Sequence, residues 1–311
     1  MYIYDGLLPV SVYQIHSQGF GQPEAIVEDT CPRCHAVGLN PGPCGWNKVA
    51  FITGGGSGIC FTIAEIFMRH NCDTVIASRK LEKLVKSADI LEKATGKQCL
   101  PIQADVRKPH EIQNAVDKSL QKFGKIDIVI NGAAGNFLCL ASNMSFHAFQ
   151  TIQEIDTMGT FNVSKVVYEK YMRDHGGVIL NITATQHYRG VPLQCHVGAA
   201  KSAIEALTKH LAVEWGPNGI RVLCIAPGPV SNSEGYRRLV SPEISEAMLS
   251  EHIPIGQIAT RSDIANIAVF LVSKAAGLLT GVTVVADGGH WMGSLKSWTD
   301  QIMLAKKSAK L

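Results

Sequence analysis

The chain has 311 residues, 46% of them hydrophobic and 18% charged, and a formal net charge of +3. That is a globular composition with ample core material, and so small a charge gives no argument for a nucleic-acid or anionic-membrane partner. No charge-free apolar run reaches the roughly 18–20 residues of a membrane span, and the N-terminal MYIYDGLLPVSVYQ lacks the basic region of a signal peptide.

There are nine cysteines, an odd and dispersed set. Six of them, Cys60, Cys72, Cys99, Cys139, Cys195 and Cys224, fall in core-like segments. The pattern predicts free thiols in a reducing compartment. Residues 1–46 are rich in Gly, Pro and Cys without a sustained period, and read as a loosely structured leader. Within it, Cys31-Pro32-Arg33-Cys34-His35 matches a haem-attachment string, and Cys31, Cys34, His35 and Cys44 are metal-ligating types. Haem attachment needs export and a haem pocket, and structural zinc needs a folded knuckle. The expectation is therefore no metal.

From Lys48 a repeating order begins. VAFIT (49–53) reads as a buried strand, 59–70 as a helix, TVIAS (74–78) as a strand, and 80–95 as an amphipathic helix stopped by Gly96. CLPIQ (99–103), a helix after Pro109 and IDIVIN (126–131) follow. Next come a long helical region near 146–174, GGVILNIT (176–183), a helix at 195–215, IRVLCIAP (220–227), a helix at 261–274 and VTVVADGG (282–289). Strands alternating with helices predict an α/β, Rossmann-type doubly wound parallel sheet with helices on both faces. The reductase-like domain is placed at 47–292 and a tail at 293–311.

The turn after the first strand, TGGGSGIC (53–60), offers Gly54, Gly55, Gly56, Ser57, Gly58 and Ile59 to a pyrophosphate at a helix start. Where the third glycine of such turns lets helix pack on strand, this chain has Cys60, expected to crowd that contact. The second strand ends Ser78-Arg79-Lys80. A guanidinium there suits a ribose 2′-phosphate, so NADP(H) is the expected cofactor.

TGGGSGI (53–59), Asp105-Val106, NGAAG (131–135), GTFNVSK (159–165), Lys201 and PGPVS (227–231) together resemble the short-chain dehydrogenase/reductase family over about 47–290. The resemblance implies that Asp105 contacts the adenine and that Asn131 and Ala133 belong to the nicotinamide side. It also implies that Lys201 bonds the nicotinamide ribose, and that Pro227, Gly228, Pro229, Val230, Ser231, Asn232 and Ser233 close over the cofactor. The family's usual Tyr, Ser and Asn positions hold Val197, Ala184 and Asp156. Without those hydroxyls, ordinary ketone or alcohol chemistry is disfavoured.

A carboxylate at 156 and an ammonium at 201 suit hydride addition to the far end of a conjugated dienoyl thioester. The charge then spreads to the thioester oxygen, and Asp156 protonates the α-carbon directly or through a held water. NGAAGNFLC (131–139), DTMGTFNVS (156–164), DHGGVILNITAT (174–185), HVGAAK (196–201) and HLAVEWGP (210–217) resemble one branch, the peroxisomal 2,4-dienoyl-CoA reductases. In that branch Asp and Lys are the catalytic pair. The mitochondrial branch uses a tyrosine where this chain has Gln186. The resemblance further implies an acyl-CoA site lined by Arg79, Arg107, Phe137, Ser145, Phe146, His147 and Arg238.

His196 neighbours the vacant tyrosine slot, but adjacent helical side chains point about 100° apart, so a packing or substrate-wall role is expected. His187 and Tyr188 are placed at the substrate border. The terminal Ala309-Lys310-Leu311 is similar to the Ser-Lys-Leu address read by the peroxisomal import receptor. By analogy with relatives of this fold, a homo-oligomer, tetramer or dimer, is expected through helices near 146–174 and 195–215. Two alternatives stand beside this reading: a 2-enoyl-CoA or 3-oxoacyl reductase of the same fold, and a catalytically inactive NADP-binding scaffold.

Overall fold

A computed structural model describes residues 46–240 and 245–293. The haem-like string, the cysteines of the leader and the terminal tripeptide lie outside the described residues. Among the described residues no group of His, Cys, Asp and Glu could hold a metal ion, and no helix is long and apolar enough to cross a membrane.

Seven parallel strands form one sheet in the order β3-β2-β1-β4-β5-β6-β7. They are β1 (Lys48–Thr53), β2 (Cys72–Ser78), β3 (Cys99–Gln103), β4 (Ile128–Asn131), β5 (Gly177–Ile182), β6 (Ile220–Pro227) and β7 (Thr283–Ala286). Helices α1 (Gly58–Arg69), α2 (Leu81–Thr95) and α3 (Pro109–Phe123) join the first four strands. Strand residues alternate between two cores, as the two-residue period of a strand requires. On β1, Ala50 and Ile52 face one core while Phe51 faces the other, and on β4 Ile128 and Ile130 oppose Val129 in the same way. Both faces are therefore apolar, which is why these strands read as continuous hydrophobic runs. Emptying one such position, Phe51→Ala, costs about 3–5 kcal/mol.

Two of the expected boundaries shift. IDIVIN enters the ladder only at Ile128, although Ile126 is fully buried. The long helical region is broken by wider turns: α4 (Phe146–Gln153) passes through a π turn (Glu154–Met158) into α5 (Gly159–Val167), and a second π turn (Tyr168–Met172) leads to α6 (Arg173–His175). Each π turn adds a residue to the helical repeat, which a simple 3.6-residue period does not reveal. After β5 come α7 (Cys195–Trp215), the short α8 (Glu234–Leu239) and α9 (Glu246–Ser250), and α10 (Arg261–Val272). Trp46, assigned to the leader by composition, stacks on His70 and meets Phe67 edge-on, so the packed unit includes it.

The strand order reverses between β1 and β4. At such a switch point the flanking loops part at the carboxyl ends of the strands, and a cleft opens there.

Candidate active site

A cleft of about 770 Å³ runs along this edge of the sheet. Its floor is the glycine turn after β1. Gly54 has φ 73°, and a Cβ on it would lie 2.8 Å from the Gly132 carbonyl oxygen. Only glycine meets both demands. Gly54, Gly56, Ser57, Gly58 and Ile59 line the cleft, whereas Gly55 does not, its Cα being packed against Ile76. The N-terminus of α1 lies in this wall, so unpaired backbone N–H groups and the helix dipole favour an anion there.

Cys60 is accommodated. Its Sγ occupies the space where a side chain on Gly132 would sit, 2.0 Å from the position of that Cβ. The bulk expected to crowd the helix–strand contact is thus absorbed by a second glycine across the turn. Burial pushes the Cys60 thiol up to about 12, partly offset by the Lys201 charge, so it stays protonated and inert.

Ser78, Arg79, Lys80 and Asp105 line the adjoining wall, as does Lys83, which the sequence reading missed. Arg79 is exposed and makes no ion pair among the described residues. Asp105 is held by both ends of the Arg107 guanidinium, at 3.0 and 2.5 Å, and these bonds lower its carboxyl below the usual range. Arg107 itself does not line the cleft.

Asn131 is also turned away, donating to Ser164 Oγ (3.0 Å) and Asn181 Oδ1 (2.8 Å) inside the core, while Ala133 lines the cleft. Pro227, Gly228, Pro229, Val230 and Ser233 form the facing lip. Ser231 and Asn232 do not reach it; Asn232 turns the chain at φ 55°, and Ser233 caps α8 by accepting from Tyr236 N.

Asp156 and Lys201 come together. Asp156 is fully buried in the first π turn, and its Oδ1 accepts from Gly135 N at 2.8 Å. Its Oδ2 lies 3.0 Å from Lys201 Nζ, close but without the alignment of a hydrogen bond. Lys201 also donates to the Ile182 carbonyl at the end of β5. Both line the cleft, with Val197 and Ala184 where the usual hydroxyls would stand. The π turn has a tight support: a Cβ on Gly159 would meet Val106 Cγ2 at 2.6 Å. A π turn inside an α-helix is often a functional feature, because it re-aims side chains on one face.

The residues assigned to the acyl-CoA site divide. Arg79 and Arg238 line the cleft, Arg238 paired with Glu234 at 2.7 Å. Phe137 stacks on the fully buried His196, ring centroids 4.2 Å apart, which gives His196 the packing role expected of it. Ser145 caps α4 by accepting from Ala148 N, and Phe146 (96% exposed) and His147 stand outside the cleft.

A further polar cluster backs the wall formed by residues 183–194. Glu205 accepts from Tyr188 Oη at 2.7 Å and lies 3.1 Å from His187 Nε2. Burial raises the Glu205 carboxyl, but bonds from His187 and Tyr188 outweigh it and bring it below its ordinary value. The signal for Glu205 was its place four residues after Lys201, on the same helix face.

Residues 54–290 match the family described as Enoyl-(Acyl carrier protein) reductase. A short chain dehydrogenase from Bacillus anthracis superposes with a TM-score of 0.72 at 36% identity, covering 78% of this chain and 96% of that one. The chain belongs to the short-chain dehydrogenase/reductase family. Members of this family bind a nicotinamide cofactor, and a 3-ketoacyl-(acyl-carrier-protein) reductase from Brucella melitensis, complexed with NADH, superposes with a TM-score of 0.71. That structure is 28% identical and covers 78% of this chain and 98% of its own. A peroxisomal 2,4-dienoyl-CoA reductase, (3E)-enoyl-CoA-producing, from Danio rerio is 51% identical over 290 residues, 93% of this chain and 96% of its own length. The family's cofactor fits the glycine turn, whose left-handed Gly54 and open helix end leave room for a pyrophosphate.

Proposed function

We propose that the chain is an NADPH-dependent reductase that converts 2,4-dienoyl-CoA to trans-3-enoyl-CoA, in the breakdown of unsaturated fatty acids in peroxisomes. The observation that carries this reading is the buried Asp156–Lys201 pair in a cleft whose tyrosine position is Val197. A proton donor is present, but the hydroxyl pair that polarises a simple ketone is absent. The 51% identity to the Danio rerio enzyme supports the substrate class and the compartment.

When bound, a reduced nicotinamide would supply a hydride to the δ-carbon of the dienoyl thioester. The glycine turn and the N-terminus of α1 would hold its pyrophosphate, Arg79 and Lys80 a 2′-phosphate, and Lys201 the ribose. The displaced electron pair moves through the conjugated chain to the thioester oxygen. A proton from Asp156, direct or through a water, adds to the α-carbon, and the remaining double bond lies between the β- and γ-carbons. Lys201 steadies the carboxylate left on Asp156, an interaction that burial strengthens.

The exposed Phe146, Phe149 and Met158 of the region near 146–174, and Val213 on α7, support a homo-oligomer through these helices. Ala309-Lys310-Leu311 is the proposed import address. The inactive-scaffold reading loses one of its supports, crowding at Cys60, because Gly132 makes room for the thiol.

The test is NADPH consumption by the purified chain with 2,4-hexadienoyl-CoA, a 2-enoyl-CoA and a 3-oxoacyl-CoA. Turnover of the dienoyl substrate alone, yielding the 3-enoyl product, is expected. Turnover of the 3-oxoacyl substrate at an equal rate overturns the reading, and NADPH binding without turnover of any substrate selects the scaffold.

A further inference from the structure

We propose that Gln194 is a further catalytic residue, the side-chain amide that holds the thioester oxygen while it carries negative charge. The inference rests on the dienoyl-CoA reading above. That reaction moves an electron pair onto the thioester oxygen, and such charge needs preorganised donors. Val197 and Ala184 carry no hydroxyl, and the Lys201 ammonium is engaged with Asp156 and the Ile182 carbonyl. The donor must then come from another side chain of the cleft wall, and of its amides Asn136, Gln186 and Gln194, only Gln194 stands in line with Val197 and Lys201 at the start of α7.

Gln194 meets that need. It lines the cleft with Val197 and Lys201, three and four residues apart, on one face of α7. It is only 5% exposed, yet its Oε1 has no hydrogen-bond partner, and it makes no cap bond at the N-cap of α7, where polar side chains ordinarily bond the helix N–H groups. A buried amide left unmatched calls for an explanation, and a substrate group that fills the cleft supplies one. The amide carries both a donor and an acceptor, and rotation by half a turn presents either to the cleft.

Its backbone is fixed on both sides. Leu193 is held at φ 67° with its carbonyl accepting from Cys139 N (3.1 Å), and the Gln194 carbonyl accepts from Gly198 N (2.9 Å). Seven residues of helix separate Gln194 from Lys201, a rise of about 10 Å. Lys201 marks the ribose end, where the hydride enters. In a dienoyl thioester the oxygen lies several bonds beyond the δ-carbon, and the proposal places it toward the N-terminal end of α7, where Gln194 stands. Gln194 donates an N–H hydrogen bond and loses no proton; the carbonyl reforms when the α-carbon is protonated.

The test compares the full-length native chain with Gln194→Leu and the near-isosteric Gln194→Glu, which has no N–H when ionised. Steady-state rates with 2,4-hexadienoyl-CoA at saturating NADPH should show kcat falling about 10²-fold in both variants with KM little changed. NADPH affinity, read by fluorescence, should match the native value. In the complex with NADP+, the infrared carbonyl stretch of bound hexadienoyl-CoA should sit below its free value in the native chain and return toward it in Gln194→Leu. Native-like kcat in both variants, a change in KM alone, or an unshifted native carbonyl overturns the proposal while the dienoyl-CoA reading stands. A native chain that does not turn over hexadienoyl-CoA removes that reading and this inference together.

Discussion

Along the cofactor half, the cleft is built largely from backbone at strand ends, with Asp105 held by Arg107 and with Arg79 exposed and outside any ion pair among the described residues. Along the substrate half it is built from side chains on the first π turn, on α7 and in the segments after β4 and β5, where Asp156 Oδ2, Asn136 Oδ1, Gln186 Oε1 and Gln194 Oε1 lack aligned partners. The contrast separates two tasks. A dinucleotide meets a preformed backbone frame, whereas the side chains proposed to act in the reaction keep polar atoms free of protein partners.

Three substitutions on the cofactor side probe how rigid that frame is. The largest effect is expected at Gly132. A methyl group there would overlap Cys60 Sγ, so Gly132→Ala should lower stability by about 1–3 kcal/mol, measured as a shift of the urea midpoint. Adding Cys60→Gly should restore most of the loss. If Gly132→Ala matches the native chain, the compensation between the two positions is wrong.

Next in size is Arg79→Ser. It should weaken NADPH binding relative to NADH by about tenfold, near 1.4 kcal/mol, without altering the kcat of enzyme saturated with NADPH. An unchanged preference in titrations with both nucleotides would return Arg79 to the status of a surface charge.

The smallest effect concerns pH. Asp105 has a depressed folded pKa through its bonds from Arg107, so it stabilises the fold above its ordinary value of 3.8 and loses that contribution as pH falls through the depressed value. Asp105→Asn should therefore be less stable than the native chain near neutrality, and the gap should close in acid. Urea midpoints at the two pH values check the sign; a gap that widens in acid contradicts it.

How much the sequence discloses follows the same division. The strands were legible because both faces of the sheet are buried and their residues are apolar without interruption, α2 because Gly96 ends it in a left-handed turn, and α3 because Pro109 opens it. The glycine turn and Arg79 were legible because backbone geometry and charge follow directly from residue type. Lys201 and Asp156 emerged from the family pattern, but the π turn holding Asp156 left no mark in the hydrophobic period. Arg107, Asn131, Ser145, Phe146 and His147 were assigned through the resemblance; the sequence does not reveal that Asp105, the Ser164–Asn181 pair and the helix end engage the first three side chains, nor that Phe146 faces outward. Gln194 was missed because an unmatched polar atom becomes visible only once its surroundings are known.

The account turns on the proton from Asp156. The most direct measurement is NADPH oxidation with 2,4-hexadienoyl-CoA by the native chain and by Asp156→Asn, alongside NADPH binding by each. Native turnover, a loss of about 10²–10⁴-fold in the variant and preserved NADPH binding are predicted. Turnover in Asp156→Asn at the native rate would contradict the account and move the proton to another donor.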